Sequence, residues 1–146
     1  MALNKEDVLL VMLALAPQGK ELTPVQIQKS LFLADEEAKG AFRDSSRYKF
    51  EPYDYGPFDK QVYADARALA AKGLVTIRTD PRGWSTYAAT PEGRQQGAVL
   101  GASLKDGPRE MLGRIVTVVA KLSFTELVSA IYKKYPRMRE RSVFRD

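Results

Sequence analysis

At 146 residues, with 45% hydrophobic and 28% charged residues, the chain is long enough for one hydrophobic core and too apolar to be disordered. The absence of cysteine excludes a disulfide framework, a thiolate nucleophile and a zinc finger, and the absence of histidine removes the commonest general base and metal ligand. The net charge of +5 is uneven: residues 133–146 carry +4 and the rest of the chain +1, so a near-neutral body precedes a basic tail.

Asn4 is a good N-cap with Asp7 three residues on, and Val8, Leu9, Met12, Leu13 and Ala16 recur at helical spacing until Pro17. Thr23-Pro24 signals a second helix, with Ile27, Leu31, Ala34 and Ala38 on one stripe and an end near Gly40. Ala41 to Ser46 reads as loop. Tyr48 and Phe50 alternate with Lys49 and Glu51, which predicts a short strand before Pro52.

Gly56-Pro57 marks a turn into a third helix with Phe58, Val62, Ala66, Leu69 and Ala70 on its buried face and Gly73 at its end. Leu74 to Thr79 and Trp84 to Ala89 are strand-like, and Asp80-Pro81-Arg82-Gly83 between them makes a hairpin. Thr90-Pro91 opens a further helix towards Leu100, and Gly101 to Pro108 reads as a connection. Met111 to Leu122 and Phe124 to Tyr135 follow as helices, the second opened by a Ser123/Glu126 capping box.

These elements predict a mainly helical α+β domain of winged-helix type spanning residues 1–146. Residues 1–100 form its core, 106–135 add C-terminal helices, and 136–146 form the basic tail. No apolar run approaches the roughly 18 residues that span a bilayer, and the N-terminus lacks a signal-peptide pattern. A cytoplasmic protein without membrane contact is expected.

In a winged helix, the helix before the hairpin faces the major groove and the hairpin tip reaches the DNA backbone. That geometry nominates Lys60, Gln61, Tyr63 and Arg67 as groove residues and Arg78 and Arg82 as wing contacts. Lys133, Lys134, Arg137, Arg139 and Arg141 of the tail would then neutralise phosphates. Asp59 and Asp65 on the same helix oppose this, and the lysines and arginines also read as an ordinary solvated face.

Tyr48, Phe50, Tyr53, Tyr55, Phe58 and Tyr63 place six aromatics within sixteen positions. They are either core or the anchors of a protein interface, with Tyr48, Tyr53, Tyr55 and Trp84 as the partner-binding candidates. Asp35-Glu36-Glu37 point in different directions along a helix and do not form an acid pair. Gly93, Gly97 and Gly101 lack the strand and lysine of a phosphate loop. No cofactor is implied, and no enzyme.

The segments Ile27-Gln28-Lys29-Ser30-Leu31-Phe32-Leu33 and Pro52-Tyr53-Asp54-Tyr55-Gly56-Pro57-Phe58, with Val62-Tyr63 and Gly73-Leu74-Val75, resemble the Panacea or SocA-like family. Members are associated with phage and mobile elements and include antitoxins of toxin–antitoxin pairs. Tyr87 to Gly93 is similar to the wing exit of many winged-helix regulators, and Leu127 to Pro136 to the tails of winged-helix-like proteins. The resemblance implies a macromolecule-binding domain acting as toxin neutraliser, adaptor or transcriptional regulator. Two readings therefore stand. One is a non-enzymatic DNA-binding regulator, with room for a homodimer; the other is an antitoxin or adaptor that binds a protein such as a toxin. The long spacing between the second and third helices departs from a simple helix-turn-helix.

Overall fold

A computed structural model describes residues 3–37 and 47–144. Ala38, the helix end near Gly40, the Ala41–Ser46 loop, Arg145 and Asp146 lie outside the described residues. The described part is a mainly helical α+β structure, with six α-helices and two small antiparallel hairpins. No helix in it is long and apolar enough to cross a membrane.

Helix α1 (Lys5–Leu15) starts at a reciprocal Asn4/Asp7 capping box, and Val8 to Leu13 are all buried. Neighbours therefore surround it: α3 (Gln61–Ala71), α4 (Pro91–Gly101) and α5 (Asp106–Val119) all pack on it. Helix α2 (Pro24–Glu37) is covered by α5 and α6 (Phe124–Lys134). Strands β3 (Val75–Thr79) and β4 (Ser85–Ala89) form one hairpin, with Ile77 opposite Tyr87. Leu22, between α1 and α2, exchanges two 2.8 Å backbone hydrogen bonds with Tyr87, adding a single-residue third strand.

The other hairpin differs from expectation. Glu51–Tyr53 (β1) pairs with Gly56–Phe58 (β2), so the strand predicted at Tyr48–Glu51 begins later, and Gly56-Pro57 belongs to a strand instead of a helix. Gly56 adopts a φ of +105°, which carries the chain round the tip, and α3 starts only at Gln61, whose N–H donates to Asp59 Oδ1 at 2.9 Å. Helix α5 likewise begins at Asp106, earlier than expected, with Pro108 tolerated in its first turn.

Two core clusters meet where Phe50 and Ile115 pack against both. The first surrounds α1; the second joins Phe32 of α2 to α5, α6 and the segment after it. That segment is not a loose tail. Pro136–Arg139 forms a 3-10 turn that buries Met138, and the chain then runs along the β1–β2 hairpin to the buried Phe144. Removing residues 136–146 is accordingly expected to cost several kcal/mol, since two large apolar side chains leave the core. A thermal melt indistinguishable from that of the full chain would refute this docking.

Candidate functional site

Seven consecutive residues of α2, Gln26 to Phe32, are buried, four of them polar. Buried polar groups need partners, and here three of the four find them on backbone. Gln26 closes a capping box with Thr23, and its Nε2 reaches Val119 O at the end of α5 (3.3 Å). Gln28 grips the backbone of one residue on both sides: its Nε2 donates to Asp59 O at 2.9 Å and its Oε1 accepts from Asp59 N at 3.1 Å. Lys29 Nζ donates to Pro57 O at 3.0 Å, and burial alone pushes its amine down to about 8 from 10.5. Ser30 Oγ is buried without a hydrogen-bond partner among the described residues.

The β1–β2 hairpin is thus tied to α2 at Pro57 and Asp59, and it is tied again from its other side. Asp54 O accepts from Val143 N at 2.9 Å and Ser142 Oγ at 3.1 Å, while the Tyr132 hydroxyl donates to Ser142 Oγ at 2.6 Å. Gly56 lies between Tyr132 and Lys29: a Cβ there would sit 3.3 Å from the Tyr132 ring and 3.5 Å from Lys29 Cε.

Clamped in this way, the hairpin displays aromatic side chains to solvent. Tyr53 is 47% exposed and stacks on Phe58 at 4.8 Å; Tyr55 is 42% exposed and meets Phe124 edge-on at 5.1 Å. Phe124, 43% exposed at the start of α6, leans on Phe144, and Val143 beside it is 57% exposed. The hairpin tip, the N-terminus of α6 and the C-terminal segment thereby meet in one exposed apolar surface, linked by the Tyr55–Phe124 and Phe124–Phe144 ring contacts.

The predicted partner-binding residues divide. Tyr53 is exposed on the β1–β2 hairpin, stacked on Phe58, which tilts against Tyr63 of α3, and Tyr55 lies in this surface. Tyr48 does not: it is buried, its hydroxyl bonded to Asp65 Oδ2 (2.6 Å) and Lys5 O (3.2 Å), and burial first, then Asp65, raises its pKa strongly. Trp84 is 66% exposed at the tip of the β3–β4 hairpin, whose main packing is against α1, α2, α3 and α4. Phe124 and Val143 were not among the candidates, because the first falls on the apolar stripe of α6 and the second within a segment that reads as a basic tail.

The predicted DNA-contacting residues are also dispersed. Lys60, which caps α3, and Gln61 and Arg67 on it are exposed, and the helix packs mainly on α1 and β3. Gln61 Nε2 donates to Asp65 at 2.8 Å. Tyr63 is turned inward, stacked on Tyr87 at 6.3 Å and tilted against Phe58 at 5.8 Å. Arg78 pairs with Glu21 at 3.3 Å, and Arg82 pairs with Asp80 at 3.0 Å. Lys134 bonds Glu37, Arg139 covers the Tyr132 ring at 5.4 Å, and Lys133, Arg137 and Arg141 are exposed. Helix α3 thus offers two of the predicted cations, Lys60 and Arg67, while Lys133, Lys134, Arg137, Arg139 and Arg141 lie on α6 and the segment after it.

Asp35 and Glu37 each take a separate cation, Arg47 (2.6 Å) and Lys134, so the acidic run does not converge. The Asp35–Arg47 pair lines an open cleft of about 460 Å³ bounded by Phe32, Tyr48, Phe50 and Met138. The chain matches no model of a known protein family, and no curated protein is similar to it.

Proposed function

We propose that the protein is a winged-helix-type domain whose task is to bind another protein through the Tyr55, Phe124 and Val143 surface. The observation that carries this reading is the pre-organisation of that surface. Three separate segments converge on it, and buried side chains hold the backbone beneath its aromatic tips, so little ordering entropy remains to be lost on binding. The winged-helix assignment is supported by the order of elements: helix, the single strand residue Leu22, helix, helix, then a hairpin whose second strand pairs with Leu22. The binding surface lies on what is added to that plan, namely the insertion between α2 and α3 and the C-terminal segments. An antitoxin or adaptor role follows from this reading, in line with the Panacea-like pieces of the sequence.

A DNA-binding regulator is the second reading, favoured by one observation: the outward face of α3, with Lys60, Gln61 and Arg67, is not covered by the C-terminal helices. It is the weaker reading because the insertion enters directly at the N-terminus of α3, the end that a recognition helix presents to bases, and because Arg78 and Arg82 are already paired.

Co-expression with the product of an adjacent toxic gene separates the two. Tyr55→Asp and Phe124→Asp, each placing a charge in the apolar surface, are expected to weaken co-purification by about thirty-fold or more and to release the toxicity. Lys60→Ala with Arg67→Ala should leave both unchanged. Toxicity that persists beside the native protein removes the protein-binding reading. Salt-dependent binding to duplex DNA that is lost in the Lys60 and Arg67 variants would establish the other.

A further inference from the structure

The β3–β4 turn is built around one carboxylate. Asp80 Oδ1 accepts from the backbone N–H of Arg82 (2.9 Å) and Trp84 (3.0 Å), and Oδ2 accepts from the Arg82 guanidinium. The backbone closes on itself as well, Asp80 N to Trp84 O and Gly83 N to Asp80 O, both 2.9 Å. Arg82 then lies over the Trp84 ring at 4.4 Å. A five-residue turn thus fixes the largest side chain in the sequence, its one tryptophan, with 66% of it in solvent.

We infer that this turn is a second docking point, independent of the β1–β2 surface, whose occupant is an apolar pocket on a different protein. The charges at the tip select that occupant. Asp80 and Arg82 cancel, and the next cation along the strand, Arg78, faces Glu21. A phosphate backbone or an anionic membrane therefore meets no net positive charge at the tip. A pocket that buries the indole gains its apolar area and keeps the pair, and a rigid, exposed tryptophan with an arginine on its face is the composition of an interface hot spot.

The test replaces Trp84 with photoreactive benzoylphenylalanine in the full chain, expressed alongside its native gene neighbours. The expected result is a cross-link to one protein. That protein, purified, should shift the emission of the single tryptophan to the blue when mixed with the native chain. Trp84→Ala, which removes an exposed side chain and leaves the fold intact, should weaken this binding about thirty-fold or more, and Asp80→Ala, which unties the turn, by less. Tyr55→Asp should leave it unchanged, so failure here and failure of the β1–β2 surface are read separately. The inference is overturned by no cross-link at position 84, or by a captured protein that leaves the emission unmoved. It is equally overturned by a blue shift produced by duplex DNA, by phosphatidylglycerol vesicles, or by concentrating the protein alone.

Discussion

Gly93→Ala is expected to prevent folding. A Cβ at this position would stand 1.9 Å from the carbonyl oxygen of Leu74 and 2.9 Å from its carbon, and that oxygen is already the acceptor for Thr90 N at 3.0 Å. Both obstacles are backbone, so no side chain can swing aside, and relief would require moving α4 off the β3–β4 hairpin. Gly97, one turn on, meets α1 nearly as closely, with a Cβ 2.4 Å from Ala14 Cβ and 3.2 Å from Leu10 O. Losses above about 4 kcal/mol are expected against a typical total of 5–15 kcal/mol. Gly107→Ala is the control, since nothing lies within 4 Å of its added Cβ and its position in α5 favours alanine by up to about 1 kcal/mol. A cooperative melt for Gly93→Ala within a few degrees of the native protein would mean that α4 does not pack here.

Lys29 carries the second large effect. Folded, its amine releases its proton near pH 8; unfolded, near 10.5. Between these values the unfolded chain binds more protons, so stability rises with pH, and below pH 8 the buried ammonium costs about 3 kcal/mol. Lys29→Met removes that cost but leaves Pro57 O without its donor, a loss of about 1–3 kcal/mol. At pH 7 the variant should therefore be as stable as the native chain or more so. From pH 7 to 9.5 the native protein should gain about 2 kcal/mol relative to the variant, as read from denaturant titrations at each pH. A gap that does not change with pH would show that Lys29 is solvated. A lysine this costly is retained at the root of the hairpin that carries Tyr53 and Tyr55, which fits a role in positioning that surface.

Local signals were legible in the residues. The capping boxes at Asn4/Asp7 and Ser123/Glu126, the caps at Thr23 and Thr90, and the Asp80 turn all form where the side chains predict, because each involves groups within four residues of one another. Gly56-Pro57 was misleading for the same reason. A glycine followed by proline fits a helix start and a hairpin strand equally well, and only the distant grip of Gln28 and Lys29 on Pro57 and Asp59 selects the strand. Of the exposed hairpin aromatics, Tyr53 and Tyr55 could be nominated from composition. Tyr48 could not be told from them, since its burial depends on Asp65 and Lys5.

The sequence by itself determined a mainly helical α+β chain, the positions of most of its helices, the β3–β4 hairpin and a near-neutral body with basic residues at its end. These follow from hydrophobic period, capping and turn chemistry, which act over a few residues. Only the tertiary structure decided that the basic end is docked and not trailing, because Met138 and Phe144 join a cluster with Phe124 and Tyr132 of the preceding helix and with Phe32, more than a hundred residues earlier. It also decided which aromatics face water. Exposure is set by what packs against a side chain, and for Tyr55, Phe124 and Val143 the neighbours come from segments that meet only when the chain is folded.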